Sequence, residues 1–259
     1  MSNVIVLTTG LTGSSVLAGL LVRGGLWAGD ATVQKEYDTF ENLELTNLNK
    51  RLLKEAGCPI DYSTEFSWNA LRAISMAGDG IDLSPYRDFV LRLRARAPWI
   101  LKDPRLWLTI RFWQQILCFD DVRFVWLTRE SLQGWMSTTR RRIVMSYGYY
   151  RQYEGQINAS IEAFLELNGL PYMRVSFEQL LLVPESTLDQ LNNFLDLKLT
   201  LEDLQSVYNR PLYRKSRGLR DFLVASAIYG KNYFQRVELG RSRSGQPEEL
   251  RTKLTSRFE

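Results

Sequence analysis

Histidine is absent from this chain of 259 residues, and cysteine occurs only at Cys58 and Cys118. Without histidine, acid–base work near neutral pH falls to a carboxylate or a lysine. The same lack argues against a zinc site built from His and Cys ligands, and no metal is expected. The two cysteines have neither metal-ligand nor redox spacing, so no disulfide framework is implied, which fits a cytoplasmic location. No linker rich in Pro, Gly or Ser divides the chain, and no repeat is evident. One domain over 1–259 is therefore expected, with a polar, mobile tail from about residue 240. The one long uncharged run, residues 4 to 22, is interrupted at its centre by Thr8, Thr9, Gly10, Thr12, Gly13, Ser14 and Ser15 and has no basic segment before it. It predicts a strand, a loop and a helix, with no membrane span and no signal peptide.

Apolar and charged fractions of 45% and 24% are those of an ordinary globular protein. The net charge is +4, and the basic residues are mostly Arg and occur in clusters: Arg92, Arg94 and Arg96; Arg140, Arg141 and Arg142; and Arg214, Lys215, Arg217 and Arg220. Guanidinium forks suit phosphate and sulfate oxygens, although a charge run is also the ordinary make-up of a solvated helix face. No recognised nucleic-acid motif accompanies them, and no nucleic-acid partner is expected.

The most informative stretch runs from Val4 to Leu21. An apolar β run breaks at Thr9 into a loop of small residues and resumes at Ser14 as a helix. This arrangement aims backbone N–H groups and a helix N-terminus at an anion. A nucleotide-hydrolysing P-loop needs Gly-Lys-[Ser/Thr], and here Gly13 is followed by Ser14, which argues against a kinase or NTPase.

Farther along, Asp38-Thr39-Phe40-Glu41 has the form of a capping box opening a helix with Leu45, Leu48, Leu52 and Leu53, after a loop over Gly29 to Tyr37. Ser84-Pro85 predicts a helix whose N-cap is Ser84 and whose buried stripe is Tyr86, Phe89, Val90 and Leu93. Trp99-Ile100-Leu101, Arg123 to Thr128 and Met173 to Ser176 read as strands. Helices are expected over Leu106 to Leu117, Ser131 to Met145 and from Pro184. Alternation of this kind predicts an α/β fold: a mostly parallel sheet flanked by helices. Ligands of such sheets bind outside the carboxyl ends of the strands, where the Gly10 to Ser15 loop, Lys102 to Arg105 and Arg129 all fall.

Four segments resemble the sulfotransferase family. Thr12-Gly13-Ser14-Ser15 matches the second half of its 5′-phosphosulfate loop, P-[KR]-[ST]-G-[TS]-[ST], with Leu11 where members carry Lys or Arg. Arg129 and Ser137 have the spacing of its 3′-phosphate motif, R-x-P-x-x-x-x-x-S, with Ser131 in place of proline. Lys102-Asp103-Pro104-Arg105 resembles the K-D-P-R segment of a bacterial group. Arg214 to Gly218 loosely resembles the R-K-G segment. The resemblance implies a P-loop-like transferase fold, 3′-phosphoadenosine 5′-phosphosulfate as cofactor, and transfer to a hydroxyl or amine of a small molecule, lipid or saccharide.

It also implies roles: Gly10, Thr12, Gly13, Ser14, Ser15, Arg105, Arg129, Ser137 and Arg217 would bind the cofactor. Lys102 would stabilise the departing phosphate, replacing the cation missing at Leu11, and a carboxylate after the first helix would take the acceptor's proton, Glu41 first, with Asp38 and Glu36 as alternatives. Each has an ordinary alternative: Glu41 as third residue of the capping box, Lys102 solvated beside an Asp103 helix cap, Arg129 paired with Glu130. Two other functions stay open, a binding protein that has lost transfer and an atypical P-loop phosphotransferase.

Overall fold

The computed structural model describes residues 1–58, 65–208 and 218–242. In chain order the elements are β1 (Asn3–Thr8), α1 (Ser14–Arg23), β2 (Thr32–Gln34), β3 (Asp38–Asn42), α2 (Leu43–Glu55), α3 (Trp68–Ser75) and α4 (Ser84–Arg94). There follow β4 (Ile100–Lys102), α5 (Leu106–Trp113), β5 (Val122–Thr128), α6 (Ser131–Arg140), α7 (Tyr147–Leu167) and β6 (Tyr172–Ser176). The last are α8 (Phe177–Leu182), α9 (Pro184–Leu195), α10 (Leu201–Val207) and α11 (Leu219–Ser242).

Strands β4-β1-β5-β6 form a parallel sheet in that order. Because side chains alternate across a strand, the central strands feed two cores. Ile5, Leu7, Phe124 and Trp126 pack into the core built with α2 to α5 and α7, while Val4, Val6, Val125 and Leu127 join α1 and α8 to α10. From β1 the chain steps outward to β4 and then returns to β5 on the other side of β1. The strand order thus reverses about β1, and the loop after β1 opens at the crevice this creates. Among the described residues no helix is long and apolar enough to cross a membrane.

Several expectations change. The expected capping box at Asp38 is strand β3, paired antiparallel with β2, which lies within the expected Gly29 to Tyr37 loop. Asp38 Oδ1 does accept a backbone N–H, but from Phe40 two residues on at 2.7 Å, and Phe40 has φ 53°, which starts no helix. Helix α2 opens instead after Asn42, whose Oδ1 accepts from Leu45 N. Ser84 lies inside α4, capped by no side chain, although the stripe Tyr86, Phe89, Val90 and Leu93 is buried as expected. Helix α5 stops at Trp113, four residues before Leu117. Helix α6 ends at Arg140 rather than near Met145, because Arg142 adopts φ 60° and turns the chain into α7. Helix α11 continues to Ser242, past the expected start of the tail; the rest of that tail lies outside the described residues.

Candidate active site

The loop after β1 is shaped by three left-handed residues, Gly10 (φ 81°), Leu11 (φ 55°) and Gly13 (φ 86°). Gly13 is the residue before α1, and no side chain caps that helix; Gly13 O accepts from Val16 N at 2.9 Å, which leaves the Ser14 and Ser15 amides as the first-turn donors available to a ligand. The loop is fastened from both sides. Thr8 and Thr12 hydroxyls hydrogen-bond beneath it, and the Tyr153 hydroxyl of α7 donates to Thr9 O at 3.0 Å. The ring of Phe177, first residue of α8, fills the space where a Cβ on Gly13 would stand.

Lys102 ends β4, parallel to Val6 of β1, and its side chain is 2% exposed. Its three ammonium protons have three acceptors: Glu41 Oε1 at 2.7 Å, Thr39 O at 3.3 Å and Ser15 Oγ at 3.4 Å. Residues from β3, β4 and α1 thus converge on one nitrogen. Burial pushes the Lys102 ammonium below the ordinary lysine value, opposed by the Glu41 carboxylate. The solvated alternative for Lys102 and the capping-box alternative for Glu41 do not match this arrangement.

Arg105 and Asp103 are engaged with each other. Asp103 Oδ1 accepts from Arg105 N at 2.7 Å and from Arg105 Nη1 at 3.0 Å, while Asp103 Oδ2 accepts from the Thr46 hydroxyl at 3.0 Å. Asp103 is fully buried, so this carboxylate ties α2 to the turn before α5.

Arg129 stands just past β5. Its Nη1 donates to Leu11 O at 2.9 Å and to Ser137 Oγ at 3.4 Å, so the two residues of the expected motif meet, and Arg129 reaches the loop. The guanidinium lies 5.2 Å from the Phe177 ring centre. Its acidic neighbour is Glu178, with Nε to Oε1 at 3.9 Å, rather than Glu130 beside it in sequence. That separation is too long for a hydrogen bond, and both atoms are buried without a partner, as is Thr9 Oγ1.

Beside Arg129 a cavity of about 490 Å³ opens among Ser131, Arg151, Glu154, Arg174 and Glu178. Burial is the main cause that raises the Glu154 carboxyl above the usual range, with Glu178 adding to it and Ser131 and Arg151 opposing. A carboxyl raised on folding is harmless while protonated and costs stability as pH rises through its folded value. Glu154→Gln is therefore expected to raise the urea midpoint at pH 7, and the gap should close by about pH 4, where glutamate is largely protonated in either state. An unchanged midpoint at pH 7 would contradict the burial cost.

Thr9, the Thr39 carbonyl, Tyr153 and Glu178 join the site beyond the residues expected there. Glu178 adjoins the end of a recognised strand and was within reach; Thr39 and Tyr153 meet the site only through tertiary contacts. Arg217 and the neighbouring residues 214–216 lie outside the described residues. Among the described residues no group of His, Cys, Asp and Glu could hold a metal ion.

No family model matches the chain, and no curated protein matches it in sequence. Three solved structures to which it is similar are sulfotransferases. The sulfotransferase domain from the curacin biosynthetic pathway has a TM-score of 0.49 and 15% identity, over 85% of this chain and 81% of that one. The sulfotransferase domain from the Synechococcus PCC 7002 olefin synthase has a TM-score of 0.48 and 16% identity, over 87% and 94%. Sulfotransferase STF9 from Mycobacterium avium has a TM-score of 0.44 and 16% identity, over 89% and 75%.

Proposed function

We propose that this protein is a sulfotransferase that moves a sulfuryl group from 3′-phosphoadenosine 5′-phosphosulfate to a hydroxyl or amine of a small-molecule, lipid or saccharide acceptor. The observation that carries this is the convergence of Lys102, Glu41 and Ser15 at the mouth of an uncapped, left-handed loop.

The residues fit such a donor. Thr9 Oγ1 and Arg129 Nε are buried donors without partners, the kind of orphan that phosphate oxygens satisfy. Backbone amides from Gly10 to Ser15 would hold the 5′-phosphosulfate, and Arg129 with Ser137 the 3′-phosphate. When bound, the donor supplies an activated sulfur whose bond to a phosphate oxygen breaks as the acceptor oxygen or nitrogen attacks.

Lys102 places its charge where the leaving phosphate becomes more negative, the kind of preorganised stabilisation that speeds transfer. Its bond to Ser15 is the longest of its three, at 3.4 Å, and is the one a donor oxygen would replace. Glu41 keeps Oε1 on Lys102 and takes the acceptor's proton at Oε2. Arg105 supports the site through Asp103 rather than by pointing an unengaged fork at the ligand.

The test is binding of adenosine 3′,5′-bisphosphate, followed by transfer from labelled donor across an acceptor panel. Binding with transfer is the expected result; failure to bind the bisphosphate would sink the assignment. Leu11, standing where the resembling family carries a cation, favours a second reading, a binding protein without transfer. Binding with no transfer to any acceptor would select it.

A further inference from the structure

Phe40 lies in the middle of β3 yet has φ 53°, a conformation that bulky L-residues avoid. Two contacts hold it there. Asp38 Oδ1 accepts from Phe40 N at 2.7 Å, while Asp38 Oδ2 accepts from the Thr32 hydroxyl across the hairpin at 3.0 Å. On the other side the Phe40 ring rests against Gly19 of α1, where an ideal Cβ would stand 2.6 Å from Cε2. Any side chain at position 19 would push the ring away.

The bent residue separates the two groups that reach Lys102. Thr39 offers its backbone carbonyl and Glu41 its side chain, at 3.3 and 2.7 Å. In a regular strand a carbonyl points sideways toward the neighbouring strand while side chains stand perpendicular to the sheet. A carbonyl and the side chain two residues on then diverge, and the bend at Phe40 lets them meet on one nitrogen.

We infer that Asp38, together with the Gly19–Phe40 contact, is a positioning clamp that holds β3 in the bend placing the Thr39 carbonyl and the Glu41 carboxylate on Lys102. Its catalytic meaning rests on the reading of Glu41 as proton acceptor. Asp38 acts through Glu41 and Lys102 and is a positioning residue.

Asp38→Ala is expected to speed modification of Lys102 by an amine-reactive reagent roughly tenfold relative to exposed Lys50, read by mass spectrometry, because the hairpin opens locally. It should also lower kcat about tenfold with the donor KM within about twofold, the signature of misplaced chemistry rather than lost binding. Asp38→Asn keeps an Oδ1 acceptor for Phe40 N and should restore both values. Gly19→Ala displaces the ring at a helix position where alanine is the better helix former, and should give the same pattern as Asp38→Ala. It decides the matter if Asp38→Ala does not fold. Lys102 labelling within about twofold of the unaltered chain in every variant that folds overturns the clamp. Labelling needs no turnover, so an unaltered chain that transfers nothing removes the Glu41 reading while the clamp is still judged by the reagent.

Discussion

Lys102→Met is expected to destabilise the protein by about 3–5 kcal/mol, the usual cost of leaving one member of a buried ion pair uncompensated. Glu41 is the member left behind, its side chain 6% exposed, after losing an ammonium at 2.7 Å. Urea unfolding at neutral pH measures the loss. Glu41→Leu combined with Lys102→Met removes both charges at similar volume and should recover most of it, since an apolar pair in place of a buried ion pair is often neutral. The recovered protein should transfer nothing. Glu41→Gln leaves Lys102 without its counter-charge but keeps an amide oxygen that accepts from it, so the urea midpoint should fall, while in the folded protein bisphosphate binding persists and kcat drops roughly a hundred- to ten-thousand-fold. Full turnover in Glu41→Gln would remove this carboxylate from the mechanism, and an unchanged urea midpoint in Lys102→Met would contradict the buried pair.

Gly13→Ala should be nearly as damaging, for two separable reasons. At φ 86° a Cβ meets the following carbonyl, a cost of about 1–2 kcal/mol. The new methyl would also overlap the Phe177 ring, and overpacking adds about 1–3 kcal/mol more. Gly57 provides the control: it too has a left-handed φ, 65°, but nothing lies near its Cβ position, so Gly57→Ala should pay only the backbone part. Because Gly13 shapes the loop that would hold phosphate, its substitution should also weaken bisphosphate binding by roughly tenfold or more, read by calorimetry, while Gly57→Ala leaves affinity unchanged. Equal losses of stability in the two variants would remove the Phe177 contact as a constraint on the loop.

The elements legible in the sequence were those specified by contiguous residues. The apolar run of β1, the small-residue loop and the α1 helix follow each other directly, and the buried stripe of α4 has an uninterrupted helical spacing. The Arg129–Ser137 contact was also within reach, because one strand end and two turns of helix fix their separation. Helix α7 was passed over, although Tyr150, Tyr153, Ile157, Ile161 and Phe164 form a buried stripe; polar residues and tyrosines between them dilute the pattern. Asp38 misled for a local reason. An aspartate that accepts a backbone N–H looks alike in sequence whether it caps a helix or bends a strand, and only the φ of Phe40 distinguishes the two.

Local chemistry by itself determined that a loop of small residues joins the first strand to the first helix, that the chain has no histidine, and that charged groups gather at the carboxyl ends of parallel strands. The tertiary structure decided which of those charges meet. Lys102 lies 61 residues from Glu41 and 87 from Ser15 along the chain, separations at which no sequence periodicity carries information. Their meeting depends on β4 pairing beside β1 and on a bent hairpin folding over α1. It also depends on burial dense enough that an ammonium must find all of its partners within the protein.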